Sequence, residues 1–203
     1  MAAIKYTKTE LRQQQIRLAQ LERYLPTLQL KKNLLQLEVN GVIGDLEKLI
    51  VQMNNYVSRV QSFQKLLTSP DAENLFRSCE IVQVHKKYEN IAGVEIPIFE
   101  KISFEKPSYF LFDTSFWLES GIHGMQLLIT NREQISIQKE KKVLLEKELR
   151  EVSIRVNLFE KIMIPRTCEN IKKIKIFLGD QQLAAVSQAK ASKRKILQRK
   201  EKR

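Results

Sequence analysis

Between Leu11 and Leu67 the sequence keeps an unbroken heptad pattern, and no other feature restricts the fold as strongly. Alternating steps of three and four residues place Leu11, Gln14, Leu18, Leu21, Leu25, Leu28, Lys32, Leu35, Val39, Val42, Leu46, Leu49, Met53, Tyr56, Val60, Phe63 and Leu67 on one stripe. Only Gln14 and Lys32 interrupt it. A strict seven-residue repeat keeps a narrow stripe facing a partner only if the helices wind around each other left-handedly. A helix over this stretch is about 85 Å long at 1.5 Å per residue, which exceeds a compact domain of this size. The segment is therefore half of a long coiled coil in search of its other half.

A second, weaker stripe supplies that half. Leu128, Ile135, Leu145, Leu149, Val152, Val156, Phe159 and Met163 hold heptad spacing, with gaps at Gln138 and Lys142. Pro165 interrupts this helix because it lacks a backbone donor and crowds the preceding turn. Beyond it the stripe resumes one helical turn out of register at Ile171, Ile174 and Leu178, the sequence form of a stutter. The simplest fold is a mainly α antiparallel hairpin of two long helices, with residues near Leu21 across from residues near Glu160. The helix-forming segments divide as 7–67 for the first helix, 114–195 for the second and 196–203 for a basic tail. An insert, 68–113, joins the helices at the end distal to both termini.

Local signals fill in the rest. Thr7-Lys8-Thr9-Glu10 has the form of a capping box at the start of the first helix. Pro26 lies inside a pattern that continues across it, which predicts a bend rather than a stop. Gly41 and Gly44 cost about 1 kcal/mol each relative to Ala in a helix, and serve either a close neighbour or nothing. Lys32 on the seam either fixes register or lays its stem along the apolar stripe, the second being the simpler reading. Ser69-Pro70-Asp71 starts a short helix to about Ser78. The β-branched runs 80–85 and 94–99, with Asn90-Ile91-Ala92-Gly93 as the turn, predict a β-hairpin. Pro97 marks its second strand as an exposed edge. Tyr109, Phe110, Phe112, Phe116 and Trp117 are dense enough to predict packing against the base of the second helix, which Asp113, Thr114 and Ser115 can cap.

Composition excludes several classes. The chain has 203 residues and a net charge of +12, with 6 Gly and 5 Pro, too few for many short strands and turns. Charge is uneven: 10 basic against 5 acidic residues in 1–67, 5 against 8 in 68–113, and 20 against 10 in 114–203. The basic end suits acidic partners, or simply stays solvated. Cys79 and Cys168 show neither metal spacing nor a disulfide framework, so buried free thiols in a reducing compartment are expected. No signal-peptide core and no apolar run of roughly 18 residues is present, so a soluble cytoplasmic protein is expected. A phosphate-binding glycine loop and a nucleophile elbow are both missing. His85 and His123 have no second ligand at metal spacing, and the acid pairs Glu146/Glu148 and Glu148/Glu151 fall on a solvated helix face. No catalytic, cofactor-binding or metal-binding residue is predicted.

Three segments narrow the function. They are Leu25-Pro26-Thr27-Leu28-Gln29-Leu30-Lys31-Lys32-Asn33-Leu34-Leu35, Asn90-Ile91-Ala92-Gly93-Val94-Glu95-Ile96-Pro97, and Ser153-Ile154-Arg155-Val156-Asn157-Leu158-Phe159-Glu160-Lys161 followed by Ile164-Pro165. In order and content this chain resembles the D subunit of the V-type/A-type rotary ATPases, and the bacterial, chlamydial form in particular. The resemblance implies a non-catalytic central rotor shaft that couples ATP synthesis or hydrolysis to ion transport. It implies that the end carrying both termini enters a hexamer of A and B subunits, through basic residues such as Lys190, Lys193, Arg194 and Lys195. It further implies that the opposite end meets the small F subunit and a socket subunit on the membrane ring, near Asn90, Ile91, Gly93, Phe116 and Trp117. The structural seam would be carried by Leu21, Leu28, Leu35, Leu49, Leu149, Val152, Val156 and Phe159. Such a protein is peripheral to the membrane, without inserting into it. The competing reading is a basic coiled-coil protein bound to nucleic acid or ribosomes. Its tail lacks interleaved aromatics, and that reading leaves the hairpin without a role.

Overall fold

The structure is a computed structural model, and it describes residues 5–62, 64–69, 72–105 and 114–201. Phe63, Pro70, Asp71, Tyr109, Phe110, Phe112 and Asp113, which enter the sequence reading above, lie outside the described residues. The elements in order are α1 (Lys8–Ser62), a short 3-10 turn (Gln64–Thr68), α2 (Ala72–Ser78), β1 (Ile81–Ile91), β2 (Val94–Phe104), α3 (Leu118–Leu158), a π-helical turn (Phe159–Met163) and α4 (Ile164–Glu201). They form two compact units, one of Met1–Leu30 with Val152–Arg203 and the other of Lys31–Glu151.

In the first unit, the N-terminal part of α1 packs antiparallel to the last turns of α3 and the first half of α4. Tyr6 stacks at a tilt on Phe177 with ring centroids 5.0 Å apart. Leu18 shares an apolar cleft with Cys168, Ile171 and Ile176. The start of α1 is half a capping box: Glu10 N–H donates to Thr7 Oγ1 at 3.2 Å, while the Glu10 carboxylate accepts from Gln14 Nε2 instead of reaching back. Leu21 is buried, and Leu11, Gln14, Leu18, Leu25 and Leu28 are half-buried. On the facing helices Val152, Val156, Thr167, Ile171 and Ile174 are buried, and Phe159 and Met163 are half-buried.

The interruption of the second long helix takes a particular form. Helix continues through Pro165, and the irregularity sits just before it, at Phe159–Met163, where Ile164 N–H reaches back to Phe159 O. Pro165 cannot donate, so one carbonyl loses its usual helical partner, and the wider π-turn inserts the residue that re-aims the following stripe. Thr167 then stands on the buried face with its hydroxyl donating to Met163 O at 2.7 Å, so its polarity is internally satisfied. Helix persists to Glu201, into the stretch read from sequence as a basic tail.

The second unit holds the rest of α1, most of α3, and the hairpin. Leu35, Val39, Val42 and Leu46 are buried along α1, and Lys32, Leu49, Met53, Tyr56 and Val60 are half-buried. Opposite them Ile137 and Leu145 are buried, while Leu149 is half-buried. Antiparallel pairing is explicit in the contacts. Lys31 Nζ meets Glu148 Oε1 at 2.6 Å, Asn131 Nδ2 donates weakly to Gln52 Oε1 at 3.5 Å, and Gly124 faces Val60. Glu148 is thus an ion-pair partner and not the freely solvated acid anticipated. Such positions flank a coiled-coil seam, where long charged side chains bridge helices.

The hairpin is longer than the sequence runs suggested, and its ribbon lies along the helix pair. β1 and β2 pair antiparallel from Ile81↔Phe104 to Ile91↔Val94, with bulges between Ile81 and Gln83 and between His85 and Lys86. The ribbon lies against the flanks of α1 and α3. Lys86 Nζ bonds Glu140 Oε2 at 2.9 Å, Ile98 and Phe99 face α1 and α3, and the turn comes close to Lys31. Ile96 and Pro97 are buried. Pro97 therefore does mark a strand of a two-stranded ribbon, but its ring is covered, not exposed. The α3 helix starts at Leu118, four residues after the predicted boundary, with Leu118 N–H donating to Ser115 O.

Seam burial makes a graded stability prediction. Leu35 is completely buried, so Leu35→Ala lowers unfolding free energy by about 2–5 kcal/mol. Leu149→Ala at its half-buried site loses less. Denaturant unfolding of both variants checks the order. Gly41 and Gly44 have nothing within 4 Å of an added Cβ, which removes the close-neighbour reading of these glycines. Gly41→Ala therefore raises stability, by about 0.4–1 kcal/mol, a gain readable in the same melts.

Candidate functional site

A chain built on paired helices offers surfaces instead of a closed cleft, and two regions carry the residues singled out from sequence. In the first unit, burial along α4 ends early. Ile174 is buried, Leu178 and Gly179 are half-buried, and every described side chain from Asp180 to Gln198 is exposed. Lys190, Lys193, Arg194 and Lys195 all stand on this exposed part, together with the apolar Leu183, Val186, Ile196 and Leu197. No acidic residue lies between Asp180 and Gln198. A helix in water gains little stability without a packed face, so this basic end with its exposed apolar residues is suited to being covered.

In the second unit, the hairpin turn is well determined by its chemistry. Ala92 and Gly93 both have positive φ, 52° and 84°, as a two-residue turn matching the strand twist requires. Asn90 Oδ1 accepts from Gly93 N–H at 2.9 Å and locks the turn. Ile91 is half-buried. Flanking lysines are held by acids: Glu140 raises the Lys86 pKa through their hydrogen bond, and Lys87 lowers that of Glu89 in the same way. The ring of His85 shares a 3.2 Å contact with Ser103 on β2.

The remaining predicted residues separate. Phe116 is 102% exposed, so the expected packing of the aromatic cluster fails at this position. Trp117 is half-buried against a small core of Leu75, Cys79, Leu118 and Ile122 that joins α2 to α3. Sequence reading missed this core because its apolar residues come from a seven-residue helix and the first turns of another, with no shared period. Gln126 Nε2 closes it by donating to Ser78 O at 3.0 Å. Gly121 is its tightest point: an added Cβ would stand 3.0 Å from Leu75 and 3.2 Å from Trp117. Burial pushes the Cys79 thiol up to about 11. Cys168, expected to be buried, is exposed.

Chemistry is sparse. Among the described residues no three His, Cys, Asp or Glu side chains group as a metal site, and His123 is exposed on α3, apart from His85. Among the same residues no helix is long and apolar enough to cross a membrane.

Known proteins match this chain over nearly its whole length. The family model for the ATP synthase D subunit covers residues 10–194. The chain belongs to the ATP synthase D subunit family. The D subunit of the V-type ATP synthase of Chlamydia abortus is 41% identical over 199 residues, spanning 98% of this chain and 96% of the relative. Its counterpart in Chlamydia felis is 42% identical with the same coverage, and that of Chlamydia trachomatis serovar L2 is 40% identical, covering 98% of both chains. The likeness therefore takes in the long helices, the hairpin and the exposed basic stretch of α4 together, as far as Arg194 in the family model.

The α2–α3 core predicts distinct cysteine behaviour. Burial keeps the Cys79 thiol protonated and so unreactive in the folded chain. Iodoacetamide therefore modifies Cys168 in the native protein and reaches Cys79 only on unfolding, as peptide mass mapping will show. The folded state holds the Cys79 proton more tightly than its ordinary value of 9.0. Its contribution to stability is present below pH 9 and is lost as pH rises towards 11. Gly121→Ala destabilises the fold where Gly41→Ala stabilises it, since here the new methyl must displace Leu75 or Trp117.

Proposed function

We propose that the protein is the central rotor shaft of a V/A-type rotary ATPase or ATP synthase, coupling ATP turnover in a catalytic hexamer to ion transport through a membrane ring. The carrying observation is the family match across residues 10–194, in a chain whose heptad stripe is buried or half-buried at every described position from Leu11 to Leu67. A transmitter of torque needs a stiff element, and wound helix pairs resist bending and twisting better than single helices. In this reading the chain is a non-catalytic subunit, held at the membrane surface on the cytoplasmic side by its partners.

The basic, uncovered end of α4, with Lys190, Lys193, Arg194 and Lys195, is assigned to the A and B subunits of the hexamer. Its exposed apolar residues and lack of acids from Leu183 to Leu197 support that assignment. Asn90, Ile91 and Gly93 at the turn, with Phe116 and Trp117 just before α3, are assigned to the small F subunit and the socket on the ring. A fully exposed Phe116 is a natural anchor for such a partner. Nucleic acid has no part in this reading.

Affinity capture of the tagged full-length chain from cell lysate, with and without nuclease, tests the assignment. ATPase subunits are the expected co-purifying proteins. Recovery of nucleic acid without ATPase subunits would reject the shaft. Removal of 190–203 is expected to leave binding to the F subunit intact and to weaken hexamer assembly or coupling. Lost F binding with normal coupling would exchange the two ends.

A further inference from the structure

We propose that the cleft between the hairpin and the helix pair is a receptor for an alkyl cation carrying N–H donors, a guanidinium or ammonium on an apolar stem. The cleft has a volume of about 370 Å³ and is floored by Leu49, Ile98 and Phe99. Its polar lining is unusual beside a seam. Gln138, one of the two gaps in the second stripe, stands where an apolar residue would close the helix pair, and Gln52 and Gln134 line the cleft beside it. Gln138 Oε1 is buried and accepts no hydrogen bond from any described group. Behind Gln52, Asn131 is 3% exposed and its Oδ1 is equally unpartnered, while its Nδ2 makes only the long 3.5 Å contact to Gln52 Oε1. A buried acceptor left unpaired is costly, so each of them has to be accounted for.

The geometry selects the ligand class. The buried Gln138 carbonyl oxygen, the one of these that lines the cleft, calls for a donor, not an acceptor. Asp45 stands at the rim and favours a positive charge there. Its present neighbour Lys48 holds it at 3.3 Å with a side chain 77% exposed, a contact that an incoming cation can replace. The apolar floor fits the methylene stem that arginine, lysine and polyamines share. That chemistry has two sources, a side chain of a partner polypeptide or a free polyamine.

Titration of the full chain at low ionic strength with agmatine, spermidine and N-acetyl-arginine amide tests the site, read by the Gln138 side-chain amide resonances. Saturable shifts are expected with at least one of these probes. Asp45→Asn and Gln138→Leu should each weaken binding about tenfold or more, and Lys48→Gln should tighten it by releasing Asp45. Asp45→Asn, at the exposed rim, keeps the test decisive should Gln138→Leu disturb packing. Tighter binding of the blocked arginine assigns the site to a partner side chain, and tighter binding of spermidine assigns it to a polyamine. Three results would overturn the proposal: no saturable shift with any probe, leaving water alone as the occupant; equal affinity for tetramethylammonium, which has no N–H donor; or unchanged affinity in Asp45→Asn.

Discussion

Burial of one narrow apolar stripe on α1 is the constraint on which everything else depends. A helix of 55 residues has no compact core of its own, and its stability comes from covering that stripe. In one unit the cover is the end of α3 and the start of α4; in the other it is the body of α3. The side chains that are completely buried, Leu35, Leu145, Val152 and Ile174 among them, come from both sides of this pairing. The hairpin and the α2–α3 core attach to a surface the seam has already built.

Much of this was legible in the sequence, because a heptad is a signal that accumulates over many turns. Stripe positions from Leu11 to Val60 emerge buried or half-buried without exception, and the Asn90-to-Gly93 turn is where its residues demand. Features resting on a single local cue fared less well. Pro97 reads as an edge marker because it lacks a donor, yet the missing donor does not reveal which face its ring covers. Cys168 was expected to be buried, but helical periodicity turns it outward. Phe116 joins an aromatic run while pointing away from the core its neighbour Trp117 enters. Pairs distant in sequence, such as Lys31 with Glu148 and Lys86 with Glu140, need the fold before they can be matched.

The surfaces assigned a function are less legible still. An exposed basic helix carries its charge openly in the sequence, but the residue where burial stops, beyond Gly179, follows from how far the partner helix extends. The polar cleft is harder again. Along the chain Gln138 reads as a weak point in a stripe, and only the arrival of β2 beside it turns that weakness into a lined cavity. Family resemblance supplied what periodicity lacks, since a buried seam says nothing of what grips its surface.

The π-turn before Pro165 has a consequence for heredity as much as for structure. It lets one helix of a pair hold an additional residue while its partner stays regular, so the mismatch is absorbed within a single turn. Upstream and downstream stripes are thereby insulated from each other. Single-residue insertions or deletions elsewhere on these helices would throw every following side chain off its face. At this turn a change in residue count has a place to be taken up.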